Sequence, residues 1–205
     1  LNRIDAVESR IADVKLGADT ERAHAEDLDM VQALSDFQAK QTGYEAALST
    51  YSLVQRMYAW RGYRTEARRQ PLDEQNRVTL AAWHYEEVVA TLTLRRDSPI
   101  GLLADAHYGN VLDGLRGPDR VVCEVSRLAI DPDFSSRDLL NNLFSAALDY
   151  GREHFSASDA VMEVNPRHVR YYERCLGFQQ IGDVCRCLRV DAPAVLMHQE
   201  IDGIT

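Results

Sequence analysis

The stretch Val121-Val122-Cys123-Glu124-Val125-Ser126-Arg127-Leu128-Ala129-Ile130 decides how the chain is read. Its composition is that of a strand, and alternate residues of a strand share a face. Up to residue 125 the apolar set is odd-numbered (Val121, Cys123, Val125). From residue 128 it is even-numbered (Leu128, Ile130). One core serves both sets only if an extra residue intervenes, which predicts a β-bulge near Ser126. The alternative is a strand buried on both faces, for which the change of parity means nothing. With the bulge, Glu124 and Arg127 fall on one face. A carboxylate can take a proton from an attacking amine, directly or through water, and a guanidinium can hold a carboxylate through two parallel hydrogen bonds. A half-buried ion pair that merely holds the strand is the plainer reading of the same two residues.

Outward from that strand, other elements follow by period and punctuation. Asp131-Pro132 ends it, and Ser135 or Ser136 caps a helix with Leu140, Leu143, Phe144, Ala147 and Leu148 on one face. Ala160 to Val164 is a strand, and His168 to Leu176 is a helix stopped by Gly177. Phe178 to Gly182, Cys185 to Val190 and Ala194 to Met197 are further strands. Upstream, 77–85 and 88–95 read as a hairpin, and 102–116 as a short helical or irregular stretch. Thr42-Gly43-Tyr44-Glu45 is a capping box. It opens a helix to about Trp60, with the stripe Ala47, Tyr51, Val54 and Tyr58 widened by Leu53, Met57 and Trp60. Phe37 to Lys40 reads as a short strand. The order predicts an α/β fold, a mixed central sheet flanked by helices.

The 205 residues carry 32 acidic and 23 basic side chains, a net charge of −9. Residues 1–36 hold nine acids and four bases, so more than half of that charge lies there. Ile4, Val7, Ile11 and Val14 follow the helical period, Gly17 is a stop, and Asp19 or Thr20 a new cap. These residues are expected to be a helical hairpin, 1–36, appended to a main domain, 37–205, with association through these helices an open expectation. The acidic balance argues against nucleic acid. No apolar run approaches a membrane span, and the first thirty residues are too acidic and polar for a signal peptide. The four cysteines, Cys123, Cys175, Cys185 and Cys187, lack zinc-site spacing, which predicts no metal, free thiols and a cytoplasmic location. All basic residues except Lys15 and Lys40 are arginine, which reflects either coding bias or anion recognition.

Glu-Val-Ser-Arg-Leu-Ala-Ile-Asp-Pro (124–132) resembles the Glu-x-Ser-Arg strand of the acyl-homoserine-lactone synthases and of the related N-acyl amino acid synthases, both within the GNAT-type acyltransferases. Five more pieces fall in the same order: Tyr51 to Tyr58, Gln70-Pro71-Leu72-Asp73, Val89 to Leu94, Pro166 to Phe178, and Val190 to Leu196. The resemblance covers about residues 37–198. Where the lactone synthases carry an arginine in the first helix, two acids in the loop and an arginine on the hairpin strand, this chain has Val54, Gln70 with Asp73, and Thr93. The similarity therefore points to the N-acyl amino acid synthases. Coenzyme-A-dependent relatives have glycine in the loop after the bulged strand, where bare backbone N–H groups meet pyrophosphate. Residues 133–139 have none.

The resemblance thus implies a GNAT-like splayed sheet and an acyltransferase that moves a long-chain fatty acyl group to the α-amine of a small amino acid. The donor would be acyl-phosphopantetheine on acyl carrier protein, with no tightly bound cofactor. Glu124 would be the base, Arg127 would orient it or hold the acceptor carboxylate, and Tyr172 (or Tyr171) would protonate the leaving thiolate. Tyr58, Trp60, Asp73, Ser126 and Leu128 are the candidate substrate contacts. Arg167, Arg170 and Arg174 lie along one helical face and would dock the carrier protein, with the arginines at 61, 64, 68 and 69. Core packing for the aromatics and a solvated surface for the arginines are the plainer readings. A coenzyme-A-dependent small-acyl transferase and a non-catalytic acyl-carrier- or lipid-binding module remain the alternative functions.

Overall fold

The computed structural model describes residues 43, 45–60, 62 and 74–201. The chain divides into two compact units, Leu1–Ala47 and Leu48–Thr205. Of the first unit only residues 43 and 45–47, which are helical, are described. The expected hairpin at 1–36, the strand at 37–40, Thr42 of the capping box, the loop with Asp73 and the arginines at 61, 64, 68 and 69 lie outside the described residues.

Helix α1 (residues 45–60) carries into the second unit. There follow β1 (Arg77–His84), β2 (Glu87–Arg96), α2 (Asp105–Leu115), β3 (Val122–Ile130), α3 (Arg137–Phe155), β4 (Asp159–Val164), α4 (Val169–Leu176), β5 (Gln179–Gln180), β6 (Cys185–Cys187) and β7 (Ala192–Glu200). The strands form one sheet in the order β1-β2-β3-β4-β7-β5, with β6 on β7. Every pair is antiparallel except β3 with β4.

The sheet separates two apolar layers. On one face Leu92, Leu94, Cys123, Val125, Met162 and Val195 pack against Phe144 and Ala147 of α3 and Tyr172 of α4. On the other, Val122, Val161 and Leu196 pack under Tyr108 and Leu112 of α2, and Val88 and Ala129 under Leu53, Val54 and Met57 of α1. Each large apolar side chain removed from water contributes about 1.5–3 kcal/mol, so these layers carry the fold.

The strand β3 behaves as its parity predicts. Thr91 pairs with Ala129 and Thr93 with Ser126, so Arg127 and Leu128 together oppose Leu92. Arg127 takes φ +50°, in the left-handed region. This is a bulge one residue beyond Ser126. It lets Cys123 and Val125 share a core with Leu128 and Ile130.

Ser136 caps α3, its Oγ accepting the Leu139 N–H at 3.1 Å. Gly177 ends α4 at φ +73°. Four elements differ from the sequence reading. The strand expected at 178–182 is only Gln179–Gln180, and that at 185–190 only Cys185–Cys187. The last strand extends to Ala192–Glu200 because β4, β5 and β6 all pair with it. The start of the helix expected from His168 is a 3-10 turn, Pro166–His168, because the Asn165 side chain accepts the Arg167 N–H and proline follows it.

Candidate active site

The parallel pairing of β3 with β4 is brief: Val122 with Asp159, Cys123 with Ala160, Glu124 with Val161. Beyond Glu124 the two strands part. β3 continues to Ile130 on β2, and β4 continues to Val164 on β7. The backbone of residues 125–130 has no β-ladder partner on the β4 side among the described residues. Glu124 sits at the last closed rung, where the sheet opens.

Its carboxylate is 1 % exposed. Oε2 accepts the Leu103 N–H at 2.6 Å, and Oε1 accepts the Ala104 N–H at 3.0 Å. Both donors lie at the start of α2, where backbone N–H groups lack helical partners. Burial pushes the Glu124 carboxyl up to about 7, against the pull of these N–H groups, Arg189 and Arg95. A carboxyl poised there can exchange a proton near neutrality.

Further charged side chains gather around it. Arg95 stands opposite Glu124 on β2, and Arg77 opposite Arg95 on β1. Glu163, two residues beyond Val161 on β4, faces the opening from the other side. Its Oε1 lies 3.1 Å from Nδ1 of His107 on α2, and its Oε2 is ion-paired with Nη2 of Arg189, from the turn between β6 and β7. Arg127 is exposed at the bulge, with protein atoms packed around part of its side chain. That burial, with Arg77, Arg95 and Arg189 nearby, pushes its guanidinium below the usual range, while Tyr58 acts the other way. Burial lowers Arg189 likewise, opposed by Glu124 and Tyr58. The Arg189 Nε–H is buried with no hydrogen-bond partner among the described residues.

Arg127 and Tyr58 are therefore brought together, and Arg95 and Arg189 act on both Arg127 and Glu124. Ser126 is half-buried opposite Thr93, and Leu128 packs toward the α3 face. Trp60 is 67 % exposed in the last turn of α1, two helical turns beyond buried Leu53. Tyr172, 8 % exposed, lies on the other face of the sheet, its ring 5.9 Å from that of Phe144. Arg167, Arg170 and Arg174 are all exposed. Arg95, His107, Glu163 and Arg189 were not among the sequence candidates. Only Arg95 left a signal, an arginine in register with Thr91 and Thr93 at the end of an apolar strand.

His107, Glu163 and Cys187 each bring one ligand-type atom within 4.8 Å of the others, a nitrogen, oxygen and sulfur set that zinc accepts. Here Arg189 already neutralises Glu163, and burial raises the Cys187 thiol, which disfavours the thiolate a metal needs.

A model of the FeeM family, N-acyl amino acid synthase FeeM, matches residues 49–200. The chain belongs to this family. Its fold is similar to the structure of FeeM, an N-acyl amino acid synthase from uncultured soil microbes. The identity is 24 %, the match covers 78 % of this chain and 92 % of that one, and the TM-score is 0.70. It is also similar to an acyl-CoA N-acyltransferase from Pseudomonas aeruginosa at 17 % identity, covering 76 % and 90 %, with a TM-score of 0.50. No curated protein sequence matches. The N-acyl amino acid synthase resemblance and the GNAT fold read from the sequence are both borne out, and the chain is an acyltransferase. No described helix is long and apolar enough to cross a membrane.

Proposed function

We propose that the enzyme transfers a long-chain fatty acyl group from an acyl carrier protein thioester to the α-amine of a small amino acid. The observation that carries this reading is the placement of Glu124, buried at the last rung before the sheet opens, with a carboxyl pushed up to about 7. The acyl-phosphopantetheine arm lies along the open edge of β3, where backbone N–H groups beside the bulge hold the thioester oxygen as it becomes an oxyanion. Glu124 takes the proton of the attacking amine, through water because both its oxygens already accept backbone donors. The C–N bond forms, the C–S bond breaks, and Tyr172 protonates the departing thiolate through the gap that β3 and β4 leave beyond Glu124. Arg127 holds the acceptor carboxylate, and Tyr58, Trp60, Ser126 and Leu128 contact the substrates.

The carrier protein as donor is supported by the start of α3. No glycine lies between 131 and 139, and the Ser136 hydroxyl already accepts the Leu139 N–H that a pyrophosphate would need. The exposed arginines of α4 and the turn before it, Arg167, Arg170 and Arg174, suit an acidic carrier surface. A cytoplasmic setting goes with that donor and with free thiols. The test is incubation of the purified chain with palmitoyl carrier protein or palmitoyl coenzyme A and a mixture of amino acids, followed by mass spectrometry and thiol release. Fatty acyl amino acids from the carrier thioester are expected. No such product from either donor sinks the reading, and product from coenzyme A alone replaces the donor.

A further inference from the structure

Arg189 has no place in the mechanism above, yet it occupies the mouth of the splayed sheet. It comes from the short turn between β6 and β7, which is clamped at its base. Arg186 Nε donates to Asp191 Oδ1 at 2.7 Å, and Asp191 takes φ +51°. The turn sends Leu188 outward, 73 % exposed, and its neighbour Arg189 to Glu163. Glu163 is held from the other side by His107, so Arg189 is anchored on a carboxylate that is itself fixed. Glu124 closes the last rung with Val161, and Glu163 lies two residues further along β4, where the strands no longer pair.

We propose that Arg189 is a positioning residue for Glu124: anchored on Glu163, it presents its positive charge to the base across the open mouth of the sheet and balances the two carboxylates there. The proposal rests on the reading of Glu124 as base. Without Arg189 the second carboxylate would oppose ionisation of the first, and the entering amine would meet a protonated, useless group. The other groups around Glu124 are fixed by the sheet and α2: Arg95 opposite it on β2, Arg127 on β3, the N–H groups of Leu103 and Ala104, and Cys187 on β6, whose thiol Glu124 pushes up. Around Arg189 stand His107, Glu163 and, from α1, Tyr58. Arg189 is the only charge in this set supplied by a turn.

The test follows the Glu124 carboxyl itself by carbon NMR in the full chain labelled at glutamate side chains, its signal assigned by its absence in Glu124→Gln. The acid limb of kcat/KM is recorded alongside. Arg189→Gln is expected to move both upward by about one pH unit, and Arg189→Lys to restore most of the shift. Leu188→Gln, on the same turn but facing solvent, leaves them in place. Arg189→Met supplies the same readout if the glutamine variant does not fold. An unmoved Glu124 signal in a folded Arg189 variant overturns the proposal. A moved signal together with normal turnover by Glu124→Gln upholds Arg189 as a positioning residue and overturns the reading of Glu124 as base.

Discussion

The Glu124 carboxylate and the Leu103 backbone meet at 2.6 Å, joining β3 at the opening of the sheet to the turn that leads into α2. The contact orients the base but does not keep it acidic, because burial outweighs the donated N–H groups. The active form is the carboxylate, so kcat/KM should rise with pH through an acid limb near 7. Glu124→Gln should reduce kcat by about 10²–10⁴-fold, with carrier-protein binding retained, as measured by thiol release and titration calorimetry. For stability the sign is reversed. Between 4.5 and about 7 the native state keeps a proton that the unfolded chain has released, so this group's contribution is full below 4.5 and declines as pH rises to about 7.

Tyr172 packs its ring between Phe144 and Tyr171. Tyr172→Phe keeps that packing and removes only the hydroxyl. We expect a melting temperature close to that of the parent and a kcat about 10²-fold lower, compared by calorimetry and single-turnover kinetics. Unchanged turnover would return this residue to a packing role.

Reversal of Arg170 and Arg174 to glutamate should raise KM for the acyl carrier thioester and flatten or invert its rise with salt, while kcat stays the same. A variant whose KM and salt series match those of the parent would remove these arginines from carrier docking.

Asp159 is 1 % exposed and ties three elements together. His198 Nε2 lies 2.7 Å from Oδ1, Ser158 Oγ donates to Oδ2 at 2.7 Å, and the Arg120 guanidinium pairs with both oxygens. Burial pushes its carboxyl up, but these partners prevail and hold it at about 2. The stabilisation is present above 3.8 and is lost as pH falls through about 2. Asp159→Asn strands a part-buried guanidinium and should cost about 3 kcal/mol, the lower end for a broken buried pair because Arg120 also meets water. Urea unfolding at pH 7 and pH 3 should show the cost at the higher pH and a smaller one at the lower.

A methyl group at Gly182 would stand 2.7 Å from Tyr108 Cε1 and 2.8 Å from Leu196 Cβ. Tyr108 is buried at a kink in α2, and its hydroxyl donates to the carbonyl oxygens of Asp183 and Ala194. Gly182→Ala should therefore cost about 2 kcal/mol by overpacking. It should also lower kcat, because the turn leading into α2 carries the N–H groups that hold Glu124. A denaturation curve and an activity assay on the same sample check both.

Some of this was legible without a fold. The change of parity between Val125 and Leu128 is a local fact, since the period of a strand is two whatever surrounds it. The bulge follows from it. The cap at Ser136 and the stop at Gly177 are equally local. The short strands β5 and β6 were overextended because their length is set by how much of β7 they meet. Trp60 shares a helical direction with Leu53, but direction does not say whether anything covers the end of a helix.

By itself the sequence determined the α/β order, the bulged strand and the acid-base candidate on it, because periods, caps and turn residues act over a few neighbours. Only the tertiary structure decided that β3 and β4 part just after Glu124, that the start of α2 meets its carboxylate, and that Arg95, Glu163, His107 and Arg189 surround it. Those residues come from four separate segments, and no spacing along the chain encodes their meeting. The physical reason extends to the base itself. Its charge state depends on how much water the folded layers exclude, and that quantity exists only once they have packed.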